Sequence, residues 1–567
     1  MTNKEIAKVL KLSASLLELH DENIFKIRTY SNAVMRIERQ KERLDTKSLE
    51  ELEAVEGIGK SIAQAIVQIV ERGSFDVLEA LLSKTPPGVV ELLGISGIGP
   101  KKINVLWKEL QIEGPDQLLM ACRHGRLAGT KGFGLKTQET ILQSLDFAIG
   151  QRGKVLYAKA EPLADSLLNL LRTALPGQKI ALTGDMRRKM EVIDLVEIVI
   201  DSQDADAASN ILQNESSVYI DEQTSGPFSL RGMFKTKNLK WQIHFARPID
   251  FTGKLMLSTG SERHMAAIAY DGKSLRQYLL ENKIESEASA YAQFGMPYIE
   301  PELREGTFET SFSETNRPPD LLKVSELKGA FHNHSHYSDG QDSLRQMAQA
   351  CIDRGYHYLG MSDHSQSAIY AQGLQEYEIL KQHKEIDELN KELAPFRIFK
   401  GIESDILNDG SLDYSPEVLA SFDFIVASIH GNLSMDIDKA TRRLIKAIEN
   451  PFTTFLGHPT GRLLLKRPGY AINHKIVIDA CAAHGVIMEI NANPKRLDVD
   501  WRWVNYALSR GVVLSINPDA HLTKGLDDMR YGVLTGRKGG LSKEKTFNTW
   551  SLEMVEQYLL DRKRRWK

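Results

Sequence analysis

The stretch Phe331-His332-Asn333-His334-Ser335-His336-Tyr337-Ser338-Asp339-Gly340 sets two imidazoles two residues apart, with a carboxylate in the turn that follows. Side chains alternate along a strand, so His332 and His334 are expected on one face, where they can grip one cation together. A single His-x-His is weak support for a metal site. Here it is followed by Ser362-Asp363-His364, Gly401-Ile402-Glu403, Ala427-Ser428-Ile429-His430, Leu456-Gly457-His458 and Pro518-Asp519-Ala520-His521, each a ligand-type residue directly after a short apolar run. Eleven of the fifteen histidines lie from residue 332 onward, so unrelated, scattered histidines are the weaker explanation.

Those apolar runs must be the elements that aim the ligands. They span 327–332, 358–362, 396–402, 422–429, 452–457, 486–490 and 512–516, rich in Val, Ile and Phe and uninterrupted, as strands buried on both faces should be. Amphipathic stretches at 343–354, 376–393, 437–449, 474–484 and 501–510 lie between most of them. Such alternation predicts a parallel α/β barrel, with its chemistry at the carboxyl ends of the strands. Six of the seven expected strands deliver a His, Asp or Glu there, and the other delivers Asn491.

At 567 residues the chain is long enough for several domains. Its 42% hydrophobic and 26% charged residues are those of an ordinary globular protein, and the net charge of -3 neither excludes nor suggests nucleic acid. Cys122, Cys351 and Cys481 show no Cys-x-x-Cys spacing, so buried thiols in a reducing cytoplasm are expected rather than disulfides or zinc ligands. No signal-peptide layout and no membrane-spanning apolar run is visible, so a cytoplasmic protein without membrane contact is expected.

The first 150 residues carry three glycine turns between helical patterns: Gly57-Ile58-Gly59-Lys60, Gly97-Ile98-Gly99-Pro100-Lys101-Lys102 and, more loosely, Gly132-Phe133-Gly134. Gly-h-Gly between two helices is the helix-hairpin-helix signature. Its glycines let backbone N–H groups and the next helix N-terminus approach a phosphate. Gly57, Gly59, Lys60, Gly97, Gly99, Lys101 and Lys102 are the candidate DNA contacts. With 20 basic and 20 acidic residues in this region, binding should be local and sequence-independent rather than driven by a broad positive field.

Residues 329–567 resemble the polymerase and histidinol phosphatase (PHP) domain, a distorted (β/α)7 barrel with a trinuclear metal centre. His332 and His334 match its opening pair, Asp339 the first loop, and His364 the second strand end. Glu403 matches the bridging carboxylate, His430 and His458 the middle ligands, and Asp519 and His521 the closing pair. The resemblance implies that these nine residues hold three divalent ions. Six imidazoles and three carboxylates suit Mn²⁺, Zn²⁺ or Fe²⁺ better than Mg²⁺ or Ca²⁺, with Mn²⁺ or Zn²⁺ expected here. Clustered ions of this kind activate water and clamp a phosphate, so phosphoester hydrolysis without a protein nucleophile is implied, with Glu403 and His430 as catalytic residues. Arg462, shortly after His458, is a candidate phosphate-holding fork, with an ordinary carboxylate pairing as the alternative. His336 is expected at the rim and Asp363 as a support for its neighbour His364.

The part before residue 305 resembles a family X, polymerase-beta-like DNA polymerase. The resemblance rests on Thr183-Gly184-Asp185-Met186-Arg187-Arg188, similar to a nucleotide-binding Gly-Ser-x-Arg-Arg, and on Ser258-Thr259-Gly260-Ser261-Glu262-Arg263-His264 of the thumb. Phe294-Gly295-Met296-Pro297-Tyr298 opens the stretch that precedes the PHP domain in bacterial members. The carboxylate positions depart from that pattern. In Ile193-Asp194-Leu195-Val196-Glu197 only Asp194 is retained, with Val196 at the second position and Glu197 expected on the opposite face. His244 stands at the third position, and Asp185 replaces the nucleotide-contacting Ser. Ala65 stands where animal members carry their lyase lysine.

The expected order is an N-terminal helical domain (1–80), fingers-like hairpins (81–150), a degenerate α/β palm (151–250), a thumb-like segment (251–312), a polar linker (313–328) and the PHP barrel (329–567). The basic end, Asp561-Arg562-Lys563-Arg564-Arg565-Trp566-Lys567, reads as a solvated tail. The function expected is that of a monomeric, DNA-binding, metal-dependent phosphoesterase. Its activity would be 3′→5′ exonuclease, with 3′-end or abasic-site processing in repair, and an inactive polymerase module. The alternatives are a small-molecule phosphoesterase acting on histidinol-phosphate-like substrates, an active gap-filling polymerase, or a non-catalytic DNA-binding scaffold.

Overall fold

Each Gly-h-Gly turn divides its work among its three residues in the same way. The first glycine is left-handed, with φ of +85° at Gly57, +86° at Gly97 and +91° at Gly132, a region that L side chains avoid. The middle residue, Ile58, Ile98 or Phe133, is buried as a core anchor. The second glycine caps the next helix with extended backbone, and a Cβ on Gly59, Gly99 or Gly134 would meet nothing within 4 Å. The turns open the helices Lys60–Arg72, Pro100–Lys108 and Leu135–Gly150. This computed structural model describes residues 1–564 apart from Arg39, Lys41, Ser96, Ala128, Lys131 and Glu314. Single residues of the second and third turns and of the expected linker, and the last three of the basic tail, therefore lie outside the described residues.

Met1–Arg152 forms one compact unit. Apolar residues from Ile6 to Leu145 join in a single buried cluster, so the segments expected at 1–80 and 81–150 share one core.

Gly153–Lys567 is the second unit. Its first sheet contains β1 (Ile180–Thr183), β2 (Leu195–Ile200), β3 (Val218–Ile220), β4 (Ser229–Phe234) and β5 (Leu239–Phe245), in the order β1-β2-β5-β4-β3. Only β2 and β5 run parallel. The second sheet is all-parallel, in sequence order: β6 (Gly329–Ala330), β7 (Tyr358–Met361), β8 (Arg397–Asp405), β9 (Phe424–Ser428), β10 (Phe455–Leu456), β11 (Ile487–Asn491) and β12 (Leu514–Asn517). His334 N donates to Ala520 O at 2.8 Å, drawing the two edges together into a nearly closed, distorted barrel. Two strands, β6 and β10, keep only two residues of their apolar runs. β6 stops at Ala330 because His332 adopts φ +58°, which no strand accommodates.

The barrel lumen is an aromatic plug. Phe331 packs on Phe399, Phe424, Phe455 and Phe547 with ring centroids 5.0–5.9 Å away. Glycine makes the room: a Cβ at Gly360 would lie 2.3 Å from Phe331, and one at Gly401 would lie 2.1 Å from Phe424. The alternate residues Ile425 and Ala427 face outward, into the layer under the helices Leu344–Asp353 and Ile437–Glu449.

Within the segment 313–328, Leu322 is buried and its N–H donates to Leu541 O at 3.0 Å. One expectation changes. The basic tail is not solvated at Arg562, which is buried and donates to Gly485 O at 2.7 Å and to Thr453 O. The helix Leu552–Arg564 turns Val555 and Leu559 onto the aromatic plug, so Arg562 is carried beneath the barrel. The three cysteines are buried and unbridged. No helix among the described residues is long and apolar enough to cross a membrane.

The plug generates a stability test. Phe331→Ala should cost about 3–5 kcal/mol, the range for emptying a buried phenyl site, seen as a lower denaturation midpoint of the metal-free protein. A shift below about 1 kcal/mol would mean the lumen does not carry the barrel.

Candidate metal centre

Glu403 ends β8 and is the hub of the barrel mouth. Its Oε1 lies 3.0 Å from His458 Nε2 and 3.1 Å from both His332 Nε2 and His430 Nε2. Its Oε2 lies 3.0 Å from His364 Nδ1 and 3.7 Å from His334 Nε2. Asp519 Oδ1 is 3.1 Å from His334 Nε2, and Asp339 Oδ1 is 3.1 Å from His521 Nε2. All nine residues singled out in the sequence therefore meet in one place. Four overlapping groups of ligand atoms form there, each with its atoms within 4.8 Å of one another.

The convergence is not the simple strand alternation expected of His-x-His. His332 and His334 lie past the end of β6, and the backbone reaches the cluster through left-handed residues, His332 (φ +58°) and Asp519 (φ +52°). Non-glycine residues held there store strain, which the surrounding fold must hold in place. The rings then stack: His334 lies 4.5 Å from His364 and 4.3 Å from His521.

The donor set fits metal ions. His332 Nε2, His364 Nδ1 and Glu403 Oε2 are buried without a well-directed hydrogen bond among the described residues, although His364 Nδ1 lies 3.0 Å from Glu403 Oε2 and His332 Nε2 3.1 Å from Glu403 Oε1. Burial disfavours the charged forms of Glu403 and Asp519, but the facing imidazoles override it and hold both well below the usual carboxylate range. Burial likewise works against His332, and Glu489, Glu403 and Asp519 raise it well above an ordinary histidine. His334 is instead pushed down to about 3, by burial and by His521 and His364. Concentrated negative charge shared with closely packed imidazoles is the environment that divalent cations neutralise.

Supporting residues surround the nine. Asp363 accepts from Ser335 N, Ser335 Oγ, Ser338 Oγ and Gln382 Nε2 at 2.5–2.8 Å, so it braces the 335–338 turn. Sequence reasoning missed Glu489, which is fully buried, lies 2.5 Å from His332 Nδ1 and accepts from His458 N at 3.0 Å. Its signal was a charge inside the buried strand Ile487–Asn491. It also missed Asp405, which orients His430 through Nδ1. Asn491 bridges Glu489 and Asp519, at 2.9 and 3.2 Å.

Arg462 does not serve as the expected phosphate fork. Its guanidinium is committed to Asp500 and to the Arg496 and Leu497 carbonyls, pinning the loop beside the mouth. The alternative pairing holds because the partner, Asp500, comes from a distant loop folded back on it. Arg496 is the arginine beside the cluster, with Nε 3.6 Å from Asp519 Oδ2.

The palm-like sheet departs from the expected register. Val196 is buried in the core, and Asp194 is exposed in a break just before β2. Glu197 is the carboxylate that faces His244, at 3.0 Å, and it lies against Gly184, where a Cβ would be 2.1 Å from Oε2. The break resets the alternation that set Glu197 opposite Asp194. Asp185 pairs with Arg188. Arg187 is held by Glu287 at 2.5 Å and by Thr259 Oγ1 at 3.0 Å, and Arg188 by Glu305 at 3.0 Å. Both arginines of the nucleotide-like turn are thus tied to carboxylates.

Comparison with known proteins agrees with these features. Residues 1–75 match the helix-hairpin-helix domain family, 89–146 the SAM-like helix-hairpin-helix tandem and 330–457 the PHP domain. The chain is 35% identical to the DNA polymerase/3′-5′ exonuclease PolX of Bacillus subtilis (strain 168) over 577 residues, covering 99% of both. It is 25% identical over 252 residues to a probable phosphatase of Thermoanaerobacter sp. (strain X514), covering 42% of this chain and 98% of that protein. A 97-residue stretch is 36% identical to the probable phosphatase YcdX of Escherichia coli O81 (strain ED1a), covering 17% of this chain and 37% of that one.

Glu489 gives the test of this geometry. Glu489→Gln should weaken divalent-cation binding by about 10–100-fold, the usual effect of losing a carboxylate behind a ligating histidine. A chelator-competition titration measures it, and parental affinity would remove Glu489 from the site.

Proposed function

The chain belongs to the family of the DNA polymerase/3′-5′ exonuclease PolX, and from that membership we propose that it removes nucleotides from DNA 3′ ends at the barrel mouth, with a polymerase module that no longer synthesises. It is a DNA-binding phosphoesterase; the 3′ polarity, repair role and abasic-end processing are the proposal. The observation that carries it is Glu403 at the hub of nine buried or half-buried ligand-type side chains.

His332, His334, Asp339, His364, Glu403, His430, His458, Asp519 and His521 would hold the metal. Three ions, Mn²⁺ or Zn²⁺, suit four overlapping donor groups that share His332, His334, His364 and Glu403. Divalent ions there supply Lewis acidity and water activation. Glu403 joins the donor groups, Asp405 fixes the ring of His430, and Arg496 offers a planar cation to a phosphate at the rim. The substrate strand is held by backbone rather than base contacts. In the first turn of Lys60–Arg72 the first intrahelical bonds start at Ile62 N and Ala63 N, both to Gly59 O, and the N–H groups of a helix's first residues have no intrahelical partner and suit an anion. Lys60, Lys101 and Lys102 add local charge, and a monomer in the cytoplasm completes the proposal.

Three observations oppose polymerisation: Val196 in the core, His244 against Glu197, and Arg187 and Arg188 tied to Glu287 and Glu305. A pair of catalytic Mg²⁺ ions needs clustered oxygen ligands, and this face offers few.

With Mn²⁺ the protein should shorten 3′-ended DNA, and a chelator should stop it. Glu403→Ala should abolish digestion while leaving DNA affinity within about twofold. Parental digestion by that variant would refute the site. The same variant should not extend a primer with dNTPs in Mg²⁺ or Mn²⁺; efficient templated extension would overturn the loss of polymerase function.

The hairpins allow a cleaner separation. Gly59 and Gly99 have ordinary φ and open space at Cβ, so Gly59→Val with Gly99→Val should fold and obstruct only an incoming phosphate backbone. DNA affinity should fall at least tenfold, while hydrolysis of a nitrophenyl phosphodiester continues. Unchanged DNA digestion would favour a small-molecule phosphoesterase instead.

A further inference from the structure

The loop after β7 carries two large apolar side chains that its own fold leaves in solvent. Ile369 is 76% and Tyr370 68% exposed, while Ala368 and Ala371 on either side are fully buried. The segment is pinned rather than loose. Ser367 N donates to Asp413 at 2.7 Å, Ser367 Oγ to Asp405 at 2.9 Å, and Leu374 N to His364 O at 2.8 Å. Gly373 runs so close to Ser365 that a Cβ would lie 1.7 Å from its carbonyl oxygen. The fold fixes both flanks yet leaves most of the ring's surface outside.

Its position gives it a purpose. The Tyr370 ring centroid lies 6.0 Å from His364 and 6.3 Å from His430, two residues of the proposed metal cluster. A phosphodiester held by the cluster would bring its nucleoside base one sugar away, onto that rim. We propose that Tyr370, flanked by Ile369, is the platform on which the base of the 3′-terminal nucleotide stacks. This rests on the exonuclease reading above and names its substrate: a 3′ end whose last base is unpaired and free to stack. Every base offers a π-face, so such a platform holds an end without reading its sequence. A terminal base still paired in a duplex could not reach it without fraying.

Two measurements on the full-length protein test this. The first compares, with Mn²⁺, KM for single strands ending in an ordinary nucleotide and for the same strands ending in an abasic tetrahydrofuran residue. The parent should favour the base-bearing end by roughly tenfold, the order of one base–aromatic stack. Tyr370→Ala should bring the ratio near one, and Tyr370→Phe should restore it, which a role in folding alone would not do. The second uses no turnover: in a Glu403→Ala background, 2-aminopurine at the 3′ terminus should be quenched on binding, and less so when Tyr370→Ala is added. A parental ratio near one, a ratio that survives Tyr370→Ala, or equal quenching in both proteins overturns the proposal. A parent that leaves all DNA intact while the quenching difference persists would refute the exonuclease reading and keep the stacking platform.

Discussion

The molecule is organised around the burial of three carboxylates among six imidazoles at one end of the barrel. Glu403 is 1% exposed, and water cannot solvate it there. Carboxylates brought so close, out of water, are tolerable only if positive charge lies between them. Protonated histidines or metal ions can supply that charge, and ligand atoms about 3 Å apart that lack a well-directed hydrogen bond among the described residues suit ions. The aromatic plug directly beneath makes the mouth a rigid floor, and Glu489, Asp405 and Asp363 fix the rings and turns from behind. The left-handed backbone at His332 and Asp519 is held by the same packing. Remove the buried charge and neither the strain nor the buried polar layer has a reason to exist.

The ligands were legible because strand ends are. A buried parallel strand shows as an unbroken apolar run, and the polar residue that ends it has few structural excuses. The hairpins were legible for a similar reason: the left-handed first glycine, buried middle residue and bare second glycine each leave a mark on residue type. What failed was parity and proximity. Alternation held only as far as a strand continued, so the break at Asp194 defeated it, while His332 and His334 come together through a left-handed turn rather than through a strand. Arg462 is near His458 in sequence, yet its partner Asp500 is supplied by a loop 38 residues on. Tyr370 gave no signal, because a solvated tyrosine in a loop is unremarkable until its neighbours are placed.

The palm-like sheet has kept its architecture while its charges have been reassigned. Arg187 and Arg188, which a nucleotide would need free, are neutralised by Glu287 and Glu305. Glu305 in turn meets Lys538, a fully buried lysine in the helix Met529–Lys538 of the barrel, whose ammonium also donates to Arg188 O at 2.8 Å. Burial pulls that lysine's pKa down and Glu305 opposes the shift. Such a buried network contributes little net stability, yet removing one member leaves an unpaired charge at a cost of several kcal/mol. It ties together residues of the sheet, the segment after the thumb-like helices and the barrel. A triphosphate entering here would have to displace carboxylates on which that arrangement depends. Glu305, which joins the barrel to the sheet, is therefore also the carboxylate that occupies Arg188, as Glu287 occupies Arg187, the other arginine of the nucleotide-like turn.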